Sequence, residues 1–160
     1  GDFYNYSLVD YVNAITKIKI ICPKHGIFEQ FPKDHINQSH GCPSCSFSKG
    51  ERIISNFLNE KEIKFIAQYS FNDCINKNTK RKLFFDFYLP EWNVCIEFDG
   101  EQHFFPVNKF GGIKEFSYIK QRDEIKNEYC ILNKILLIRI NYKQIKQIKE
   151  IIQKYVEHFK

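Results

Sequence analysis

Three acidic residues lie in a stretch of the chain that is otherwise typical of β-strands. Residues 83–90 read Leu-Phe-Phe-Asp-Phe-Tyr-Leu-Pro and contain Asp86, while residues 93–103 contain Glu97 and Asp99 beside apolar and aromatic side chains. Carboxylates in such surroundings lose hydration and need a compensating cation or hydrogen bonds. Carboxylate oxygens are also the ligands that Mg²⁺ prefers. The pattern therefore predicts a catalytic Mg²⁺ or Mn²⁺ site formed by Asp86, Glu97 and Asp99; the alternative is that one of Glu97 and Asp99 binds the metal and the other supports it.

The spacing of these acids favours metal-assisted hydrolysis. Side chains two residues apart in a strand share a face, so Glu97 and Asp99 fall together, and Asp86 joins them from the neighbouring strand if the register allows. A metal held there would activate water and polarise a phosphoryl group. Gln102 and His103 follow, and His103 is suited to moving a proton near neutral pH. The alternatives are a turn-capping role for Asp86 and a loop-stabilising surface role for His103.

A fourth acid, Glu51, begins a segment with helical periodicity. Apolar side chains recur on one face of that segment, at Ile53, Ile54, Phe57 and Leu58, as expected for an amphipathic helix. Glu51 could reach the other acids from this flanking helix, directly or through water. Ser48-Lys-Gly-Glu51 is also a capping-box pattern, which gives Glu51 a purely structural explanation.

Two ligand pairs near the N-terminus predict a structural zinc site. Cys22 and His25 are separated by two residues, and so are Cys42 and Cys45. A tight turn at this spacing lets both side chains of a pair reach one tetrahedral metal. His35 and His40 are competing ligands without a partner at this spacing, and a reduced cysteine cluster is the alternative. About forty residues bury too little surface to fold without such a centre.

The pattern Cys-x-x-His-Gly followed by Gly-Cys-x-x-Cys resembles the small treble-clef zinc modules found beside phage and mobile-element endonucleases. The resemblance covers residues 16–46 and implies an accessory that binds DNA or docks on it. The lysines that could contact phosphates are Lys17, Lys19, Lys24 and Lys33.

The second half of the chain predicts an α/β fold. Residues 61–67 suggest a further strand, 116–132 a helix with Arg122, Asp123 and Lys126, 135–142 a buried strand, and 142–159 an amphipathic helix. This order indicates a sheet flanked by helices. The charged residues Arg122, Asp123 and Lys126 of the helix at 116–132 either belong to the catalytic site, lie on a solvated face or form an internal salt bridge. Arg139, inside the apolar strand, is predicted to pair with a buried acid.

Residues 48–142 resemble the very-short-patch-repair branch of the PD-(D/E)XK nuclease superfamily. The motifs that carry the resemblance are Glu51, Phe-Asp86-Phe-Tyr-Leu-Pro, Ile-Glu97-Phe-Asp99-Gly-Glu-Gln102-His103, Arg122-Asp123-x-x-Lys126 and Leu-Ile-Arg139-Ile. The resemblance implies a restriction-endonuclease-like mixed β-sheet flanked by helices, and a Mg²⁺-dependent DNA endonuclease. Asp99 replaces the superfamily's usual lysine, and Gln102 and His103 lie where some members of the branch carry a substitute.

Together these patterns predict a zinc-binding module in residues 1–46 and a nuclease domain in residues 47–160. A catalytically inactive DNA-binding or assembly module with the same fold is the alternative. The net charge of +5 is compatible with DNA. The cysteine pattern favours a reduced intracellular protein, in the cytoplasm or the nucleoid or nucleus, and no stretch has the length and apolarity of a membrane span. A chain that begins with Gly and contains no Met is expected to have further domains; its oligomeric state stays open.

Overall fold

The computed structural model describes residues 3–37, 41–108 and 111–157. The chain divides into two compact units, Gly1–Ser48 and Lys49–Lys160. The boundary predicted from the sequence lies after residue 46. In the part of the chain that the structure describes, no helix combines the length and apolarity needed to cross a membrane.

The first unit is built on a β-hairpin followed by two short helices. Strands β1 (Ile18–Cys22) and β2 (Gly26–Gln30) pair antiparallel, with Ile18 opposite Gln30 and Cys22 opposite Gly26. Gly26 has a φ of 76°, a left-handed conformation that glycine adopts without the steric cost of a Cβ. Helices α1 (Pro32–Asn37) and α2 (Pro43–Ser46) follow. The hairpin turn thus brings the Cys22–His25 pair together.

The second unit is a four-stranded mixed sheet flanked by helices. The strand order β3-β4-β5-β6 is antiparallel between the first three strands and parallel between β5 and β6. In chain order the elements are α3 (Lys49–Glu60), β3 (Ile66–Tyr69), β4 (Phe85–Leu89), β5 (Val94–Asp99), a 3₁₀ turn (Glu101–His103), α4 (Gly112–Leu132), β6 (Leu136–Asn141), a second 3₁₀ segment (Tyr142–Gln147) and α5 (Ile148–Val156). The predicted α/β class is confirmed at this level.

Helices α3 and α4 cover opposite faces of the sheet. Gly50 of α3 lies so close to the ring of Phe98 that a Cβ would overlap it. The neighbouring residue of β5, Glu97, instead contacts Lys126 of α4. Successive side chains of a strand point to opposite faces, so β5 presents an apolar face to α3 and an acidic face to α4. Helix α3 also packs on α5, where Lys149 bonds Glu60 at 2.9 Å.

The helix and strand boundaries differ from the prediction at three places. Helix α4 begins at Gly112 rather than near residue 116, and β3 begins at Ile66 rather than within the charged residues that precede it. The predicted C-terminal helix starts as a 3₁₀ segment with a capping box: Asn141 Oδ1 accepts from the backbone N–H of Lys143, and Gln144 Oε1 accepts from the backbone N–H of Asn141. This capping box was missed because Ser, Thr and Glu are its more familiar residues. Residue 159, the predicted helix end, lies outside the described residues.

Candidate functional site

The pairing between β4 and β5 ends where the first two predicted acids lie. The last pair in register before this point is Phe87 with Ile96. Beyond it, the backbone N–H of Asp86 donates to Glu97 Oε1 at 3.1 Å, and the N–H of Phe98 donates to Asp86 Oδ2 at 2.8 Å. Side-chain carboxylates thus accept the bonds that strand carbonyls would otherwise accept. This exchange holds Asp86 and Glu97 in fixed positions and satisfies buried N–H groups.

Gln68 brings Glu51 to the same cluster. Its Nε2 lies 3.3 Å from Glu51 Oε1 and 3.3 Å from Asp86 Oδ1, so carboxylates from α3 and β4 converge on one donor. Gln68 has a φ of 49°, a left-handed conformation that is costly for a residue with a side chain and is often found at functional sites. The sequence offered no signal for Gln68, because an exposed glutamine in a short strand is ordinary.

A lysine from helix α4 reaches the most buried of these acids. Lys126 Nζ lies 2.7 Å from Glu97 Oε2, and Glu97 is only 3% exposed. Burial, reinforced by the charge of Glu97, raises the pKa of Asp86 to about 7. Burial also raises the pKa of Glu97, although the charge of Lys126 opposes the shift. The cluster therefore carries less negative charge near neutral pH than its three carboxyl groups would suggest.

Asp99 forms an ion pair with Arg139. Its two oxygens accept from Arg139 Nε at 2.8 Å and from Nη2 at 2.7 Å. The prediction that Arg139 pairs with a buried acid is confirmed. Asp99 was predicted as a ligand of the catalytic metal, but both of its oxygens are engaged by the guanidinium in this structure. Parallel pairing explains the contact, because β6 places Arg139 and Asn141 beside Glu97 and Asp99.

His103 contacts the same network through Asp123 of α4. Its Nδ1 is 2.8 Å from Asp123 Oδ2 and 3.5 Å from Asp99 Oδ1. Burial alone would raise the pKa of Asp123, but the hydrogen bond from His103 and the charge of Arg139 outweigh it and lower the pKa. A carboxylate only accepts hydrogen bonds, so this contact favours, for a neutral imidazole, the tautomer with its proton on Nδ1. Asp99, His103 and Asp123 also have the composition of a metal-binding group, but Arg139 already holds both acids.

The other predicted residues of this region lie elsewhere. The Gln102 amide folds back against Gly100, at the position where a Cβ of residue 100 would be. Arg122 pairs with Glu115 at 3.0 Å, with 45% of its side chain exposed. For the charged motif of α4, the solvated-face alternative thus describes Arg122, whereas Asp123 and Lys126, one helical turn apart, both face the sheet.

In the first unit, the four predicted zinc ligands come together. His25 Nδ1 lies 3.4 Å from Cys45 Sγ, 3.6 Å from Cys22 Sγ and 3.7 Å from Cys42 Sγ, and the sulfurs of Cys22 and Cys45 are 3.7 Å apart. Tetrahedral zinc with bonds of about 2.3 Å to sulfur and 2.0 Å to nitrogen separates its ligand atoms by about 3.5–3.8 Å. The group can hold a metal ion and is compatible with structural zinc.

The surroundings of the cluster shift the pKa values of its thiols in different directions. Burial raises the pKa of Cys42 to about 11. Burial acts in the same direction on Cys22, but backbone N–H groups of Lys24 and His25 outweigh it and lower the pKa. Metal binding requires thiolates, so proton release accompanies it. The competing ligand His35 bonds Tyr6 and Gln30 instead, and His40 lies outside the described residues.

Comparison with known proteins finds relatives for parts of the chain. Residues 1–46 match a family model described as "Protein of unknown function (DUF723)". A protein of Acanthamoeba polyphaga mimivirus, "Uncharacterized protein R892", is 45% identical over 49 residues, which are 31% of this chain and 18% of that protein. "Uncharacterized protein R97" of the same virus is 31% identical over 81 residues, 50% of this chain and 29% of that protein.

The chain therefore spans less than a third of the length of either viral relative. No solved structure matches the chain. The family match covers the residues that carry the Cys/His cluster, and the similarity that these comparisons find lies in sequence alone.

Proposed function

We propose that the protein is a metal-dependent DNA endonuclease of the PD-(D/E)XK superfamily whose zinc module assists DNA binding. The observation that carries the proposal is the bonding of Asp86 and Glu97 across the open end of the β4–β5 pairing. Both acids belong to the motifs that carry the resemblance to the very-short-patch-repair branch.

The donor set of the cluster fits a hard divalent cation. Asp86 Oδ1 and Glu51 Oε1 already converge on a single N–H donor, and carboxylate oxygens are suited to Mg²⁺ or Mn²⁺. Asp86, Glu97 and Glu51 would hold the ion. When bound, it would supply charge neutralisation at the phosphate and a more acidic water. Asp99 is left out of this ligand set because Arg139 engages both of its oxygens.

His103 is the proton acceptor in this proposal. Asp123 holds its Nδ1 at 2.8 Å, which leaves Nε2 to take a proton from the attacking water. The His103 side chain is about one-fifth exposed, and the proposal requires Nε2 to face the attacking water. The superfamily usually has a lysine at the position of Asp99, and in this proposal Lys126 of α4, 2.7 Å from Glu97, supplies that positive charge instead. Its ammonium group can stabilise the charge that develops on the phosphate.

The Cys/His cluster is assigned to structural zinc in this proposal. Three cysteines and one histidine leave no open coordination position on a tetrahedral ion, which is typical of structural rather than catalytic centres. The module carries Lys17, Lys24 and Lys33, each with its ammonium group within 6 Å of an aromatic ring centroid. Lysines on a small rigid module would contact DNA phosphates and make binding dependent on salt.

The test is a nicking assay on supercoiled plasmid with Mg²⁺ or Mn²⁺, and with EDTA as the metal-free reference. We expect Glu97→Gln to reduce the rate at least about a hundredfold, the order seen when groups that stabilise transition-state charge are removed. Glu91→Gln is the matched control, because Glu91 lies exposed in the turn between β4 and β5, where it pairs with Lys64 at 2.8 Å. A Glu97→Gln protein as active as the parent would contradict the assignment of the site.

A second candidate is an inactive nuclease-fold module that binds DNA. The observation that favours it is that Lys126 and Arg139 neutralise Glu97 and Asp99 without any metal. Such a protein would bind duplex DNA with strong salt dependence and no dependence on divalent metal. Measuring duplex affinity with Mg²⁺ and in Mg²⁺-free buffer that leaves the zinc in place, in parallel with nicking, separates the two candidates. Nicking that EDTA abolishes would exclude the second.

A further inference from the structure

The guanidinium of Arg139 is the centre of a network that links four elements of the second unit. Its Nη2 is bonded to Asp99 Oδ1 and to Asp123 Oδ1, each at 2.7 Å, and its Nε bonds Asp99 Oδ2 at 2.8 Å. Nη1 donates to Asn127 at 3.1 Å. Arg139 thus connects β6 to both β5 and α4, and every nitrogen of its side chain has a partner.

This arrangement does more than pair two strands. Strands β5 and β6 are already hydrogen-bonded in parallel along their length, so the Asp99–Arg139 pair is not needed to join them. The bond from Nη2 to Asp123 is the one that reaches α4. One nitrogen shared by two carboxylates also brings those carboxylates close together, and the guanidinium charge between them offsets their repulsion.

Asp123 passes this constraint to His103. Its first oxygen accepts from Arg139 and its second is 2.8 Å from His103 Nδ1. A carboxylate held at both oxygens cannot rotate away from the imidazole. The hydrogen bond at one ring nitrogen decides which nitrogen carries the proton, so the position of Asp123 decides the tautomer of neutral His103.

We infer that Arg139 and Asp99 are positioning residues, which hold Asp123 against His103 and so keep the proton of the neutral imidazole on Nδ1. The role assigned to Nε2 rests on the proposed nuclease function, whereas the tautomer itself does not. Asp99, expected from the sequence to bind the catalytic metal, instead acts through Arg139. Groups of this kind, which orient a reacting group without touching the substrate, typically change activity about ten- to a hundredfold when removed.

The test is a long-range ¹H–¹⁵N correlation spectrum of the histidine rings in the ¹⁵N-labelled 160-residue chain, with its zinc retained and without added Mg²⁺ or DNA, in a basic buffer that keeps imidazoles neutral. His103→Gln identifies the signals of His103. In the parent protein we expect a protonated Nδ1 and an unprotonated Nε2. In Arg139→Lys, which keeps the charge but loses the planar fork, we expect signals of both tautomers. Arg81→Lys, at an exposed position of the same unit, is the matched control and should match the parent.

A parent spectrum with the proton on Nε2, or an Arg139→Lys spectrum identical to that of the parent, would overturn the inference. If Arg139→Lys fails to fold, Asp99→Asn replaces it, since this change removes one anchor of the guanidinium and retains the shape; the same two results then apply. In the nicking assay Arg139→Lys should lower kcat about ten- to a hundredfold while KM for DNA stays close to that of the parent. A tautomer that depends on Arg139 in a protein that never nicks DNA would refute the proposed function and support the positioning role.

Discussion

The hydrogen bonds and the pKa of Asp86 follow from its position where the β4–β5 pairing ends. Asp86 accepts a backbone N–H bond on one oxygen and the Gln68 amide on the other, at 2.8 Å and 3.3 Å. Its pKa is nevertheless raised to about 7, because burial and the neighbouring Glu97 and Glu51 outweigh the bond from Phe98. A raised pKa means that ionising the acid costs free energy in the folded state, and a bound cation would offset that cost.

This cost predicts a pH dependence for the metal-free protein. The folded state keeps a proton on Asp86 up to about pH 7, while the unfolded state loses it near pH 4. Between these values the folded state binds more protons, so the free energy of unfolding falls as pH rises, and the loss is complete above the folded pKa. Asp86→Asn should remove this slope and stabilise the EDTA-treated protein above pH 7 by about 1–3 kcal/mol.

The measurement is urea unfolding across pH, followed by the fluorescence of Trp92. This residue is the single tryptophan of the chain and lies in the second unit. Asp10→Asn, at an exposed position of the first unit, should reproduce the slope of the parent. Parallel pH profiles for the parent and Asp86→Asn would show that Asp86 titrates near its ordinary value.

Among the elements, helix α3 is held against the sheet by a residue without a side chain. Gly50 is buried in the first turn of α3, against the ring of Phe98. Phe98 lies between Glu97 and Asp99 on the opposite face of β5. The close approach of Gly50 therefore fixes the distance between the helix that carries Glu51 and the strand that carries two of the other acids.

Gly50→Ala tests this approach. Alanine is the better helix former by about 1 kcal/mol, so an open site would give a more stable protein. Because a Cβ at residue 50 would overlap the Phe98 ring, we expect instead a loss of about 1–3 kcal/mol in the free energy of unfolding, as in overpacked cores. Denaturant unfolding followed at Trp92 measures it.

Two further variants isolate the cause. Asn56→Ala, at an exposed position of the same helix, should stabilise the protein by a few tenths of a kcal/mol through helix propensity alone. Phe98→Leu should be less damaging in the Gly50→Ala background than in the parent, because the smaller side chain makes room for the methyl group. Additive effects of the two changes would contradict the proposed overlap.

At the scale of the whole molecule, the two units should respond differently to chelation. The first unit has a short hairpin and two short helices around the Cys/His cluster, and a unit of this size depends on its metal. The second unit has its own buried cluster of apolar side chains and cysteines, which includes Phe85, Cys95 and Cys130. Removing the metal should therefore unfold the first unit and leave the second unit folded.

Amide hydrogen exchange resolves the two responses. After treatment with a zinc chelator, amides of β1 and β2 should exchange at least about a hundredfold faster, since their protection then reflects an unfolded ensemble. The urea midpoint reported by Trp92 should stay unchanged. Cys45→Ser should reproduce the effect of the chelator, and Ser44→Ala, the non-ligand neighbour, should not. Retained protection in the hairpin after complete metal removal would show that the first unit folds without its metal.

The sequence by itself determined the features that depend on local spacing. Two Cys/His pairs predicted the metal cluster, because a tight turn brings ligands three positions apart together. Aromatic and β-branched residues predicted the strands around Asp86 and Glu97. Apolar side chains at helical spacing predicted α3 and the last helix, because burial of one face repeats with the period of the helix. The sequence also indicated that Arg139 must meet a buried acid, although it did not identify which one.

Only the tertiary structure decided which charges meet. Lys126 reaches Glu97 from 29 positions along the chain and Arg139 reaches Asp99 from 40, because α4 crosses one face of the sheet and β6 pairs in parallel with β5. A parallel register and the position of a helix on a sheet are set by the packing of many side chains, and no local pattern encodes them. The same packing paired Asp99 with Arg139 and placed Gln68 between Glu51 and Asp86. It also placed the Gln102 amide against Gly100.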